Sequence, residues 1–302
     1  MTKVPKGFCR CRLEKTLASA RDRKDYDYIL DRVNYYNKLS GLQTLPADST
    51  LLADYSYKTS RKYPSVYFFD SYEYLRWFPE SFRFRIQGGD TTNLFDAPTL
   101  TKSRPIGEDN VNSVLLKLNR IRHYLYINDK LSFRQKECRI AFAGVATNNA
   151  KRIALFEKFF GHPLFDLYDI SPRVTNPAWQ RGKISISDQL CYRYIMAVEG
   201  NDVATSLKWV MSSNSVAVMP RPVYETWFME GRLRPGYHYI EVRDDYSDLL
   251  EKIDHYERHP EEAEAIIRHA HEWWEQFRDK RRESLISLLV LDKYFRSTNQ
   301  NR

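Results

Sequence analysis

Three short stretches of this chain carry residue types whose spacing could do chemistry. The first is CRIAFAG followed by VATNNAKR: an apolar run ends at Gly144, Asn148 or Asn149 can cap a helix, and Lys151 and Arg152 fall in that helix's first turn. Backbone N–H groups and the helix dipole make such a turn favourable for anions. Basic side chains there oppose the dipole unless something negative binds, so the pattern suits a phosphate as well as two solvated cations. The second stretch is Gly200 to Lys208, GNDVATSLK, where Val203, Ala204, Thr205 and Ser206 are small enough for a ligand to come close. Thr205 and Ser206 offer hydroxyls and Lys208 a charge, although small residues also serve close helix–sheet packing. The third is FRFRIQGGD, which alternates apolar and basic residues into Gly88-Gly89 and ends on Asp90. An Asp after such a turn can be a base at a cleft edge or can simply bond its own backbone.

Other candidates weigh less. His255 and His259 stand four apart, a spacing that suits a metal, but no third ligand accompanies them and surface histidines are the simpler reading. Asp244-Asp245 is not a D-x-D metal motif; Asp245 or Ser247 is expected to cap the helix that follows. The four cysteines include no C-x-x-C pair, which fits free thiols in a reducing compartment.

The elements that must hold these residues follow from periodicity and turn signals. Strand–turn–helix units recur from residue 138 to 253: CRIAFAG, then NAKRIALFEKFF, then YRYIMAV, SNSVAV and HYIEV with DDYSDLLEKI. That alternation predicts a parallel α/β domain, whose ligands bind at the carboxyl ends of its strands. A polar loop with Pro172, Pro177 and Gly182 interrupts it. Upstream, residues 12–39 read as helical, and residues 111–127 as a helix with Val114, Leu115, Leu118, Ile121 and Leu125 on one face. Pro260 is placed to start a helix through PEEAEAIIRHAHEWWEQF, and a last amphipathic segment reaches about Ser297. A boundary near residues 130–137 would separate an N-terminal mixed α/β region.

Composition narrows the class. The 302 residues are 42% hydrophobic and 14% aromatic, enough for one large α/β domain or two ordinary ones. The formal net charge is +8. Residues 1–40 hold ten Lys/Arg against five Asp/Glu, and residues 99–139 nine against four. A basic face attracts anionic lipid or phosphorylated molecules. No zinc finger or RNA-binding signature accompanies the charge, so nucleic acid is not an expected partner. The basic N-terminal stretch runs into no apolar segment, and Leu285–Leu291, broken by Ser287, is too short to span a bilayer. A cytoplasmic protein, peripheral at an inner membrane, is the expectation.

Read together, GNDVATSLKWVMSSNSVAV, YETWF and LRPGYHYIEVRDDYSDLLEKI resemble glycosyltransferase family 90. The shared order is an Arg-Tyr strand, a glycine, V-A-x-S-x-R/K, SV-V, L-x-P-x-x-H-Y-x-x-V and D-x-S-D-L. Upstream, YFFDSYEYLRWFP, GGDTTNLFDAPTLTKSRPI and NSVLLKLNRIRHY are similar to the family's bacterial lipopolysaccharide branch. The resemblance covers roughly residues 25–275. It implies a GT-B-like α/β fold: two Rossmann-like domains facing a cleft, with a C-terminal helical segment packing back across them. The corresponding division is 1–135 on the acceptor side, 136–270 for the nucleotide-sugar, and 271–302. It implies an inverting hexosyltransferase that uses a UDP-sugar as substrate, with no cofactor and no obligatory metal, and a lipopolysaccharide or lipooligosaccharide core as acceptor.

By motif position Asp90 matches the family's catalytic base. Gly144, Arg152, Val203, Ala204, Thr205, Ser206 and Lys208 match donor-binding positions, and Lys102 and Arg104 match a basic motif that could touch acceptor or donor. His238 opens the H-Y strand, where a structural hydrogen bond is expected. Two departures stand out: Ala143 where an Arg is usual, and Lys208 where an Arg would give a bidentate fork. The rival readings are a protein or capsule O-glycosyltransferase, and a sugar-nucleotide-binding protein with weakened catalysis.

Overall fold

The structure, a computed structural model, describes residues 5–59, 64–172 and 176–300. Residues 1–4, with Lys3 of the basic stretch, and 173–175, part of the expected polar loop, lie outside the described residues, as do 60–63 and 301–302. The chain divides into two compact units. One comprises residues 1–121, 224–228 and 277–302, and the other comprises 122–223 and 229–276.

The second unit is built on a five-stranded, all-parallel sheet. Its strands, in chain order, are Glu137–Gly144, Phe165–Asp169, Tyr192–Met196, Val216–Pro220 and Ile240–Val242. Numbered by that order, their spatial order is 2-1-3-4-5. The α/β class expected from the sequence is present. Parallel strands are buried on both faces and read as apolar runs; Ile140, Phe142, Tyr194, Met196, Val216, Val218, Ile240 and Val242 meet Leu155, Phe156, Phe159, Leu249, Ile253 and Ile266 from the helices in one core. The helix Ala150–Phe159 starts where the sequence placed it, with the Asn149 side chain accepting the Lys151 N–H at 2.8 Å. Pro260 opens Pro260–Glu275 as expected.

The Val203–Ser206 segment is a turn that leads into the single helical turn Leu207–Val210. One expectation fails here. In the DDYSDLLEKI segment, Asp245 accepts the Ser247 N–H in a local turn, and Asp248 is the residue before Leu249–Arg258.

The first unit contains the helices Lys6–Ala18, Tyr26–Tyr36, Ser65–Leu75 and Lys280–Ser297. Ile86–Gln87, Thr99–Thr101 and Ser113–Leu115 form a small parallel sheet. Ser103–Pro105 pairs antiparallel with Tyr224–Thr226. The helix expected over 111–127 is replaced by the strand Ser113–Leu115 and the short helix Arg120–His123. The consecutive apolar residues Val114, Leu115 and Leu116 suit a strand buried on both sides, while Ile121, which a continuous helix would have buried, is 83% exposed.

A buried charge cluster fixes this unit. Glu283, on the last helix, accepts Arg32 Nη1 at 2.6 Å, Lys117 Nζ at 2.7 Å and Trp227 Nε1 at 2.8 Å. Arg32 also donates to the Tyr36 hydroxyl, which donates to the Trp227 carbonyl, and the Tyr36 and Trp227 rings stack at 3.9 Å. Burial pushes the Glu283 carboxyl up, but Lys117 and Arg32 outweigh it and hold it below its ordinary value. Among the described residues no helix is long and apolar enough to cross a membrane, and all four cysteines are free.

Removing one partner of a buried charge cluster is costly because it leaves the others uncompensated. Glu283→Gln should lower the unfolding free energy at pH 7 by about 3–5 kcal/mol, read from denaturant melts. The carboxyl is depressed in the folded state, so its contribution exists above the ordinary value of 4.5 and is lost as pH falls through the folded value. The gap between variant and parent should therefore narrow in acid.

Candidate active site

In a parallel sheet of order 2-1-3-4-5, the connections leave in opposite directions from strands 1 and 3, and a crevice opens at their carboxyl ends. Here those ends are Gly144 and the Ala197–Asp202 segment after Met196. Arg152 reaches across them. Its Nε and Nη2 donate to the Val198 carbonyl at 3.2 and 2.8 Å, and its Nη1 to the Val145 carbonyl at 3.2 Å. Asn149 makes a second stitch, Nδ2 to the Gly200 carbonyl at 3.1 Å.

The guanidinium passes close to Gly200, and the Phe142 ring and the guanidinium both pass close to Gly144. A Cβ on Gly200 would stand 2.9 Å from Arg152 Nη2; one on Gly144 would stand 2.7 Å from Phe142 Cζ and 3.2 Å from Arg152 Nη1. Every acceptor on Arg152 is a neutral carbonyl, and among the described residues no carboxylate bonds to it. Burial therefore lowers its pKa to about 10; Arg122 adds like-charge repulsion, while Tyr246 and Glu199 offset part of the effect. A half-buried cation that no carboxylate of the described residues bonds, at the carboxyl ends of parallel strands, is an arrangement that could take an anion.

Asp169 ends the neighbouring strand and pairs in register with Gly144. Its Oδ1 accepts the Ala146 N–H and the Ser171 N–H, both at 3.0 Å, and the Ser171 hydroxyl. The sequence reading missed this residue. The signal that could have found it is the acidic end of FDLYD, one strand over from the glycine turn.

Lys208 behaves differently from Arg152. Its ammonium is sealed in the interior, 2.5 Å from Glu230 Oε1, with both side chains fully buried. In this geometry its charge is balanced inside the protein. Val203 and Ala204 are buried and Thr205 and Ser206 half-buried on the turn that Lys208 follows.

Asp90 belongs to the first unit. Gly89, at φ +91°, makes the turn before it, and Thr91 N–H donates to Ser103 Oγ at 3.2 Å. The Asp90 carboxylate is 29% exposed and lies 2.7 Å from Nζ of Lys102, whose side chain is 2% exposed. Two sequence candidates are thus one ion pair. Arg104 is fully buried, bonded through Nε to Glu225 at 2.7 Å and through its other nitrogens to the carbonyls of Tyr35, Tyr36 and Ser113. Sealed inside, it braces the Ser103–Pro105 strand.

Three histidines singled out in the sequence have protein partners. His238 Nδ1 accepts the Arg234 N–H at 2.9 Å. Burial, with Arg234 and His269, lowers it to about 4, so it is neutral near pH 7. His255 bonds Glu262 at 2.8 Å, and His259 stands beside Glu261 and Glu262; all are exposed.

Residues 128–283 match the family described as Glycosyl transferase family 90. O-glucosyltransferase LpsA of Dichelobacter nodosus is 46% identical over 267 residues, 88% of this chain and 82% of that protein. The chain belongs to glycosyl transferase family 90. Two further relatives match over shorter spans. Protein O-glucosyltransferase 2 of Danio rerio is 37% identical over 28% of this chain and 16% of its own length. Protein O-glucosyltransferase 3 of Rattus norvegicus is 33% identical over 26% and 15%. The family match spans Gly144, Arg152 and the Val203–Lys208 turn, so the uncompensated guanidinium lies within the part that defines the family.

Because burial without a counter-ion destabilises Arg152, Arg152→Met should leave the unfolding free energy unchanged or raise it by on the order of 1–3 kcal/mol. The same variant should bind nucleoside diphosphate at least tenfold more weakly, measured by calorimetry. Gly200→Ala, which presses a methyl group onto the guanidinium, should weaken that binding in the same direction.

Proposed function

We propose that this family 90 glycosyltransferase is an inverting enzyme that moves a hexose from a UDP-sugar to a lipopolysaccharide or lipooligosaccharide core. The observation that carries the donor half is Arg152: a half-buried guanidinium, bonded only to carbonyls among the described residues, at the strand ends where a diphosphate would supply negative charge. The extended likeness to the bacterial O-glucosyltransferase favours this acceptor class over a protein acceptor, because the protein O-glucosyltransferases match only about a quarter of the chain.

In this reading the donor lies in the second unit, with the Val203–Ser206 turn beside its diphosphate. Lys208 holds that turn from beneath through Glu230. Asp90 takes the proton of the acceptor hydroxyl as the oxygen attacks the anomeric carbon, and the diphosphate leaves with the bonding electrons against Arg152. Lys102, 2.7 Å from Asp90 Oδ1, keeps the carboxylate oriented. In this reading Arg152 meets part of the charge on the leaving group, and the reading invokes no metal and no cofactor. A GT-B arrangement, a cytoplasmic location and peripheral attachment through the basic N-terminal stretch complete it.

Asp90→Asn should reduce transfer by about 10²–10⁴-fold, the usual worth of a general base, while calorimetric binding of UDP stays within twofold. Undiminished turnover would remove Asp90 from the mechanism. Lys102→Met should lower kcat to a value between those of Asp90→Asn and the parent, with little change in the donor KM. A hydrolysis and transfer screen over UDP-, GDP- and ADP-sugars checks the donor; no turnover with any of them would favour a binding protein over an enzyme.

A further inference from the structure

Arg152 accounts for the charge of a diphosphate but leaves its nucleoside half without a recognition group. Asp169 is the group beside it that is incomplete. The side chain is 2% exposed, and among the described residues its Oδ2 has no hydrogen-bond partner. The same carboxylate cannot be turned to help itself, because Oδ1 is pinned by the Ala146 and Ser171 N–H groups and the Ser171 hydroxyl. No basic side chain of the described residues pairs with it. A buried carboxylate oxygen without a donor is strongly unfavourable.

The place of Asp169 in the sheet says which donor would satisfy it. It ends strand 2, in register with the Gly144 end of strand 1, and Gly144 packs on Arg152 Nη1. In nucleotide-binding sheets an acidic side chain in this topological position, one strand over from the glycine turn that receives the phosphates, bonds ribose hydroxyls. A carboxylate with two adjacent acceptor oxygens matches a vicinal diol. The half-buried Ser171 hydroxyl, already seated on Oδ1, marks where one hydroxyl of the diol would sit.

We propose that Asp169 recognises the 2′,3′-diol of the donor nucleotide's ribose, with one hydroxyl taking Oδ2 and the other replacing the Ser171 hydroxyl on Oδ1. This rests on the reading of the second unit as a nucleotide-sugar site. It makes the enzyme selective for ribonucleotides at a residue separate from the one that meets the phosphates.

The test is calorimetry with UDP, ADP and GDP and the 2′,3′-dideoxy analogue of whichever binds best, on the intact protein. The parent should bind the ribonucleotide at least tenfold more tightly than the dideoxy form. Asp169→Asn should bind both with the affinity of the dideoxy form, with inorganic pyrophosphate affinity unchanged. Ser171→Ala, which removes the competing hydroxyl and leaves the carboxylate in place, should bind the ribonucleotide more tightly and the dideoxy form equally. Equal affinity of the parent for the two forms, a ribose preference that survives in Asp169→Asn, or a Ser171→Ala variant that loses the preference would overturn the assignment to Asp169 while leaving the donor site standing. Failure of the parent to bind any of the three nucleotides would overturn the donor reading, and this proposal with it.

Discussion

The half-buried Arg152 guanidinium is bonded only to carbonyls among the described residues, and several features of the second unit gather around it. Two loops must come close enough to surround Arg152, so glycine stands at both points of approach. Asn149 must hold the helix start, and the strands must all run parallel so that their carboxyl ends gather on one edge. Each of these features costs some stability: glycine loses more chain entropy on folding, and parallel pairing is slightly weaker per residue. Together they fix a positive centre in place, and on the proposed donor reading it would meet an anion without rearrangement.

Several other interior cations are balanced by carboxylates of the protein. Arg32 and Lys117 share Glu283, Arg104 is bonded to Glu225, and Lys208 to Glu230. Where a carboxylate lies within 2.5–2.7 Å, the pair holds strands and helices in place. Asp90 and Lys102 fall between the two classes: the lysine is sealed, while the carboxylate stands partly in solvent. On the proposed reading, that asymmetry suits a base, because the lysine orients a carboxylate that is partly exposed.

Much of this was legible in the sequence where the signal was local. CRIAFAG, the Asn149 cap and Pro260 each encode their structure within a few residues, and the α/β class follows from their alternation. What was not legible depended on distant partners. Arg104 and Lys208 looked like ligand contacts because Glu225 and Glu230 lie 121 and 22 residues away, with nothing in the pattern to join them. Val114 and Leu115 satisfied a helical spacing as well as a strand run, and pairing with Thr99–Thr101 decided between them. Asp169 passed unremarked because an acidic residue at a strand end is common; only its register beside Gly144 and its unmatched oxygen distinguish it.

The first unit is assembled from three separated pieces of chain, and its central carboxylate comes from the last of them. During synthesis, Arg32 and Lys117 emerge long before Glu283, and Trp227 arrives between them. The second unit has all of its chain once residue 276 has been made. Arg32 and Lys117 gain the Glu283 carboxylate only when the final helix is released, so the charge balance of the chain's opening part is completed by its end.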